Sequence, residues 1–281
     1  MTADAKSGDG ESLAGFSDIS VIVPAFMAHQ TLERAIASVM RQSSSVREII
    51  VVDDASPESL EPLVREVAAR YERAPVRYVR LPRNSGPSAA RNAGIRVASG
   101  KYIGFLDADD EMHEQKCALS CALLESRPDL EAVAHRTGYE LSEQTWQGSR
   151  SMDDIKPVAI SHLLFANVVG GPNNVTMRNS GRFQFDETMR YCEDMMLWIE
   201  MLAGGASIAR SNAILARTHK AAFGASGLSS NLAAMWRGEL DCIRRISSAR
   251  GGLGVRIVGS AWATVRYCRR VLLSRLRDIL Q

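Results

Sequence analysis

Along the first hundred residues, short apolar runs alternate with stretches whose apolar side chains recur every three to four positions. Ile19–Val23 is a β-rich run stopped by Pro24; Leu32, Ala35, Ile36, Val39 and Met40 then follow helical spacing. Glu48–Val52 is the next run and ends in Asp53-Asp54. Ser56-Pro57 predicts an N-cap with proline at the first helical position, for a helix carrying Leu60, Leu63, Val64, Val67 and Ala68 on one face. Val76–Leu81 predicts a third strand, Ser88–Ser99 a third helix and Lys101–Leu106 a fourth strand. Strand–helix alternation with short connections implies parallel strands and right-handed crossovers. Ligands in such sheets bind beyond the carboxyl ends of the strands.

The second half is less regular. A helix is predicted from about Glu114 to Glu125, stopping near Pro128, and residues 138–158 are polar enough to predict a loop. Asn174–Arg178 and Ala206–Ala216 have strand character. Cys192-Glu193-Asp194 opens a helix bearing Met195, Leu197, Trp198, Met201 and Leu202. From Asn231 the pattern is helical and increasingly basic.

Composition changes this picture little. Charged residues make up 23% and apolar ones 46% of the 281, as in ordinary globular chains. The net charge of +2 gives no reason to expect nucleic acid. The charge is unevenly placed, with nine Arg against two Asp between Asp241 and Gln281. Five cysteines without a CxxC pair fit a reducing compartment, and Cys117 and Cys121 share a helix face, as core residues do. Residues 1–17 are Gly/Ser-rich and acidic, a disordered leader rather than a signal peptide. No run reaches the ~18 apolar residues of a membrane span.

Chemistry enters with Asp107-Ala108-Asp109-Asp110, which closes the apolar run Tyr102–Leu106. Carboxylates delivered to one sheet edge repel one another unless a positive charge lies between them. A divalent cation shared with substrate phosphates is the simplest candidate. Helix capping and loop solvation are the alternatives, and for Asp110 the cap of the following helix is the expectation.

Five pieces together carry a family resemblance: Ser20-Val21-Ile22-Val23-Pro24-Ala25-Phe26, Ile49-Ile50-Val51-Val52-Asp53-Asp54-Ala55-Ser56, Asn84-Ser85-Gly86-Pro87-Ser88-Ala89-Ala90-Arg91-Asn92-Ala93-Gly94, the acid cluster, and Glu193-Asp194. In this order and spacing, over roughly residues 18–220, the chain resembles the family-2 inverting glycosyltransferases. The resemblance implies an α/β GT-A fold: a Rossmann-like, mostly parallel central sheet flanked by helices, here with a C-terminal helical extension. Residues 18–111 would be the nucleotide-sugar-binding half, 112–225 the acceptor-binding half of the same domain, and 226–281 the basic extension. It also implies a nucleotide-sugar donor, most often a UDP-sugar, with Pro24, Ala25 and Phe26 along the nucleoside and Asp54 accepting from the base. Arg91 would face the diphosphate or pair with the acid cluster. Asp107 and Asp109 resemble the DxD motif, with Asp109 directly on Mn²⁺ or Mg²⁺ and Asp107 touching the ribose or reaching the metal through water. Asp194 matches the catalytic base, and His219 a further metal or diphosphate ligand. The acceptor would be a saccharide or a lipid-linked saccharide.

Phe26-Met27 stands where many relatives carry Tyr-Asn, and Trp198-Ile199-Glu200-Met201 lacks an Arg common there. The Gln-x-x-Arg-Trp signature of processive synthases is absent, so transfer of a single sugar is expected. A haloacid-dehalogenase hydrolase would carry its Asp-x-Asp on the first strand, and a nucleotidyltransferase would need a glycine-rich loop after that strand. A degenerate GT-A protein that binds nucleotide or lipid without transfer is the non-enzymatic alternative. Between 255 and 281, Trp262, Val265, Cys268, Leu272, Leu276 and Ile279 recur at helical spacing among arginines. Such a helix either lies on an anionic membrane surface or packs on the catalytic domain. The expected location is cytoplasmic, with the tail offering a peripheral hold on the inner face of the cell membrane.

Overall fold

The structure is a computed structural model that describes residues 15–139, 141–148, 150–219, 231–247 and 252–280, with side chains as far as 275. Strands β1 (Phe16–Ala25), β2 (Ser45–Asp53), β3 (Val76–Arg80) and β4 (Tyr102–Phe105) are parallel and joined by α1 (Leu32–Met40), α2 (Glu61–Tyr71) and α3 (Gly86–Val97). Register places Ala25 beside Asp53 and Ile22 beside Phe105, so these strands end along one edge. Leu32, Ala35, Ile36, Val39 and Met40 are buried, as their spacing predicts. Full burial of a side chain such as Ile36 contributes about 1.5–3 kcal/mol.

The chain continues through β5 (Asp110–Met112), α4 (Lys116–Ser126), β6 (Ala132–Tyr139), α5 (Glu143–Gln147), β7 (Ile155–Pro157), α6 (Ile160–Phe165), β8 (Val175–Arg178), α7 (Glu193–Ala203), β9 (Ile208–Thr218), α8 (Leu232–Ile246) and α9 (Gly252–Leu280). The sheet order is β3-β2-β1-β4-β8-β6-β9-β5, with β7 on β9. β8 pairs antiparallel with both β4 and β6, β9 is parallel to β6, and β5 and β7 run antiparallel to β9. The sheet is thus parallel through β4 and mixed beyond it. One face packs on α1, α2 and α4, the other on α3, α6, α7, α8 and α9. α3 lies so close to β1 that a Cβ on Gly94 would sit 2.5 Å from Ile22 Cγ2.

Several expectations are corrected. β1 begins at Phe16, inside the expected leader, because Ser17 hydrogen-bonds Ser44 (2.6 Å) and Ser45 N–H donates to Gly15 O; residues 1–14 lie outside the described residues. α2 starts at Glu61, and Ser56 is no cap; its hydroxyl instead accepts from Met27 N–H. Asp110 is likewise no cap, for it opens β5 opposite Thr218, and α4 begins only at Lys116. Residues 138–158 are not all loop, since β6, α5 and β7 occupy much of the stretch by pairing along and beside β9. The extension is helical over α8 and α9, while its first residues, 226–230, lie outside the described residues.

Candidate active site

The site grows from the common edge of β1, β2 and β4. Asp54 N–H donates to Ala25 O, locking the ends of β1 and β2 together. The two adjacent aspartates then diverge. Asp53 is fully buried and turned into the fold, where it accepts from Ser56 N–H (2.8 Å), Tyr78 OH (2.6 Å) and Leu60 N–H (3.4 Å) and pairs with Arg80. Burial pushes its pKa up, but these hydrogen bonds outweigh it and hold Asp53 below the ordinary carboxylate value. Asp54 accepts from Ser85 N–H (2.7 Å) and Gly86 N–H (2.8 Å) at the start of α3. Gly86 is left-handed (φ 87°), which glycine adopts freely. Burial raises Asp54 against the pull of those amides.

Asp54 lines a cavity of about 680 Å³ together with Pro24, Ala25, Phe26, Arg91, Asp107 and Asp109. All the residues expected to bind nucleotide therefore meet here. Arg91 is buried and bridges two acids: Nη2 donates to Asp107 Oδ1 and Nη1 to Glu193 Oε1, each at 3.0 Å. Its guanidinium also lies 5.3 Å from the Phe185 ring. Asn92, on the next turn position, exchanges two hydrogen bonds with the Phe185 backbone. Residues 88–92 thereby fix the segment leading to Glu193.

A second cavity, of about 650 Å³, shares Asp107 and Asp109 with the first and adds Asp110, Arg136, Asn167, Asn173, Arg210 and Arg270. The acid turn is pinned from several sides. Asp110 N–H donates to Asp107 O, Arg34 donates to Asp109 O (2.9 Å) and Asn173 donates to the Asp110 carboxylate. Beneath it, Lys116 is fully buried and donates to Phe105 O (3.3 Å) and Asn173 O (2.6 Å). Burial lowers its pKa to about 8.

Glu193 and Asp194 occupy the first turn of α7, where the helix dipole favours acids. Glu193 reaches the first cavity. Asp194 lines neither cavity; its Oδ2 accepts from Asn167 Nδ2 at 3.3 Å, and Asn167 lines the second. Burial, then the Glu193 charge, pushes the Asp194 carboxyl up to about 7. His219 sits elsewhere, with Nε2 3.1 Å from Glu111 Oε2 beside Arg217, and lines neither of these cavities. Among the described residues, no group of three or more His, Cys, Asp or Glu is placed to hold a metal unaided.

Three non-glycine residues at these strand and helix ends are left-handed: Met27 (φ 52°), Ala55 (φ 57°) and Cys192 (φ 59°). Each follows or precedes a site residue, and the sequence carries no turn glycine to signal them. Asn167, Asn173 and Lys116 were also missed. Their polarity is unremarkable in sequence, and only the fold brings them under or beside the acid turn.

The sequence model of glycosyl transferase family 2 matches residues 20–190, more than half of the chain. The succinoglycan biosynthesis protein ExoO of Rhizobium meliloti is 31% identical over 206 residues, 68% of this chain and 58% of ExoO. TuaG of Bacillus subtilis, a putative teichuronic acid biosynthesis glycosyltransferase, is 34% identical over 126 residues, 45% of this chain and 48% of TuaG. The chain spans half or less of the Haemophilus influenzae and Rickettsia glycosyltransferases it also matches. Among solved structures, S. aureus TarS 1–349 aligns with a TM-score of 0.62 at 17% identity, over 88% of this chain and 70% of that one. The same protein in complex with UDP-GlcNAc aligns at 0.64, with 16% identity over 90% and 72%. At such identity the likeness is one of fold. With its strand-end carboxylates gathered round one cavity and the family pattern running from residue 20 to 190, the chain belongs to glycosyl transferase family 2.

Proposed function

We propose that this chain moves one sugar from a UDP-sugar to a hydroxyl of a saccharide or lipid-linked saccharide acceptor, with inversion at the anomeric carbon, in polysaccharide assembly. The observation that carries this reading is the meeting of Pro24, Ala25, Phe26, Asp54, Arg91, Asp107 and Asp109 on one cavity at the carboxyl edge of parallel strands. The UDP and UDP-GlcNAc complexes of TarS, a protein of the same fold, support the donor class. The names of ExoO and TuaG support polysaccharide assembly.

Asp54 keeps lone pairs beyond the two used by Ser85 and Gly86, so it can also accept from a base N–H. The acceptor hydroxyl would enter from the second cavity, which meets the first at Asp107 and Asp109. Asp194, whose carboxylate accepts from Asn167 at the wall of the second cavity, would itself take the hydroxyl proton as the new C–O bond forms and the bond to the nucleotide diphosphate breaks. A raised carboxyl pKa makes it a stronger base at neutral pH than an ordinary aspartate.

Metal dependence belongs to the same proposal. The donor set at the junction is oxygen only, and Mg²⁺ or Mn²⁺ is commonly held by one or two carboxylates plus substrate phosphates. Asp109, with Asp107, fits that pattern, whereas His219 would have to leave Glu111 to join them. Such a cation would neutralise charge on the departing diphosphate.

A thermal-shift screen of nucleotide sugars with Mn²⁺ tests the reading. The expected result is stabilisation by UDP-sugars that disappears in Asp109→Ala. No shift with any nucleotide would overturn it. The absence of an Arg near Trp198 keeps the binding-only alternative in view. UDP released from a UDP-sugar without acceptor would exclude that alternative.

A further inference from the structure

Helix α9 has its faces the wrong way round for a helix that simply covers a domain. Its inner side is built from small and charged residues. Ala263 is fully buried, and Gly259 lies so close to α8 that a Cβ there would be 3.1 Å from Ile243 Cγ2. Arg266 and Arg270 turn inward onto buried Glu239, at 3.0 and 3.1 Å. Trp262 Nε1 and Arg266 both donate to Phe165 O at 2.7 Å, fixing the helix to the end of α6. Trp236 of α8 stacks on Tyr267 at 5.2 Å.

The outer side carries the bulky apolar residues. Ile257 and Leu272 are each 59% exposed, Val265 56% and Val258 55%. At 100° per residue, all four fall within about one third of the helix circumference, with Ala261 and exposed Cys268 between them. Exposed Arg269 and Arg275, one at each margin of that stripe, make no ion pair among the described residues. An apolar stripe with cations at its margins, on a helix already anchored through its opposite side, matches a surface that is apolar within and anionic at its rim. No helix of the described residues is long and apolar enough to cross a membrane.

We propose that the outer face of α9 seats the protein on an anionic lipid surface, with Ile257, Val258, Val265 and Leu272 entering the headgroup boundary and Arg269 and Arg275 meeting lipid phosphates. Charge complementarity selects lipid over a second copy of the chain, since two copies meeting along this face would bring four arginines together. Arg270, next to Arg269, lines the second cavity. The same helix thus joins the membrane to the cavity expected to admit the acceptor.

The test is co-sedimentation of the full chain with vesicles of phosphatidylcholine alone and of phosphatidylcholine mixed with phosphatidylglycerol. Parent protein is expected to pellet with the mixed vesicles and to be released by salt. The double variant Val265→Asp/Leu272→Asp should stay in solution while keeping the parent's thermal midpoint, because both side chains are exposed. Arg269→Gln/Arg275→Gln should lower partitioning by on the order of tenfold, from the contribution of each arginine near an anionic surface. Equal pelleting of parent and aspartate variant, or no pelleting of the parent, would overturn the proposal. So would concentration-dependent self-association in sedimentation velocity that the aspartate variant abolishes without any vesicle binding by the parent.

Discussion

Up to Phe105 each strand runs the same way and hands its last residues to one edge; from Asp110 onward the directions are mixed, with β5, β7 and β8 opposed to the first four strands and β6 and β9 aligned with them, and site residues come from turns and helix starts. The first region assembles its part of the site by register, so neighbours in the cavity are residues that end neighbouring strands. The second assembles its part by clamps: Asn92 on the Phe185 segment, Asn173 on Asp110, Asn167 on Asp194, and Arg91 tying both regions at Asp107 and Glu193. Binding chemistry that depends on strand ends is therefore robust, whereas the proposed proton acceptor depends on a few side-chain contacts.

That contrast can be broken at its most sensitive point with Asp194→Asn. On the order of a thousandfold loss in kcat is expected from removing a general base, with UDP-sugar binding by calorimetry unchanged. Retained turnover would move the base elsewhere, Glu193 first. Arg91→Met probes the joint between the regions. Removing one partner of a buried ion pair costs about 3–5 kcal/mol, so a large drop in the midpoint of denaturant unfolding is expected, and an unchanged midpoint would mean the bridge is dispensable.

Within the first region, Asp53 and Asp54 separate fold from binding. Asp53→Ala leaves the Ser56 and Leu60 amides, Tyr78 and Arg80 without their acceptor, at about 1–3 kcal/mol per buried donor. It should act mainly on stability. Asp54→Asn keeps an acceptor for α3 but weakens donor binding, and should act mainly on KM. Similar effects from both would erase the distinction.

The smallest effect is a pH dependence. Asp194 must be ionised to accept a proton, so kcat/KM should rise with pH until it levels above about 7. A carboxyl whose pKa rises on folding binds more protons when folded, so it contributes a fall in stability as pH climbs from the ordinary 3.8 towards 7. In Asp194→Asn that slope should vanish from thermal unfolding curves. Asn167→Ala, losing a donor to the ionised form, should shift the rate profile upward by less than one pH unit, a difference worth under about 1.4 kcal/mol.

The parallel region was legible because apolar runs, helical spacing and strand-end acids are all local. The parallel strand–helix architecture followed from them, and the family resemblance carried by the same segments implied the donor-cavity residues. Less legible was anything decided by distant pairing. Ser56 looks like a cap until Met27 claims its hydroxyl, and Asp110 looks like a cap until β9 pairs with it. His219 has no sequence neighbour to reveal that Glu111 will hold it. The stretch 138–158 lacks periodicity because its strands are short edges built onto β9. In α9 the periodicity was correct, but its outward direction was set by Glu239 on another helix, which no local pattern encodes.

Met27, Ala55 and Cys192 each sit in a backbone well that disfavours a side chain by about 1–2 kcal/mol. The molecule thus gives up part of its resistance to unfolding next to the residues that meet its substrates. A selection for heat tolerance alone would be drawn to these three places, replacing them with asparagine or glycine. The hardier proteins it returned would be expected to hold Phe26, Asp54 and Glu193 less firmly, trading turnover for endurance.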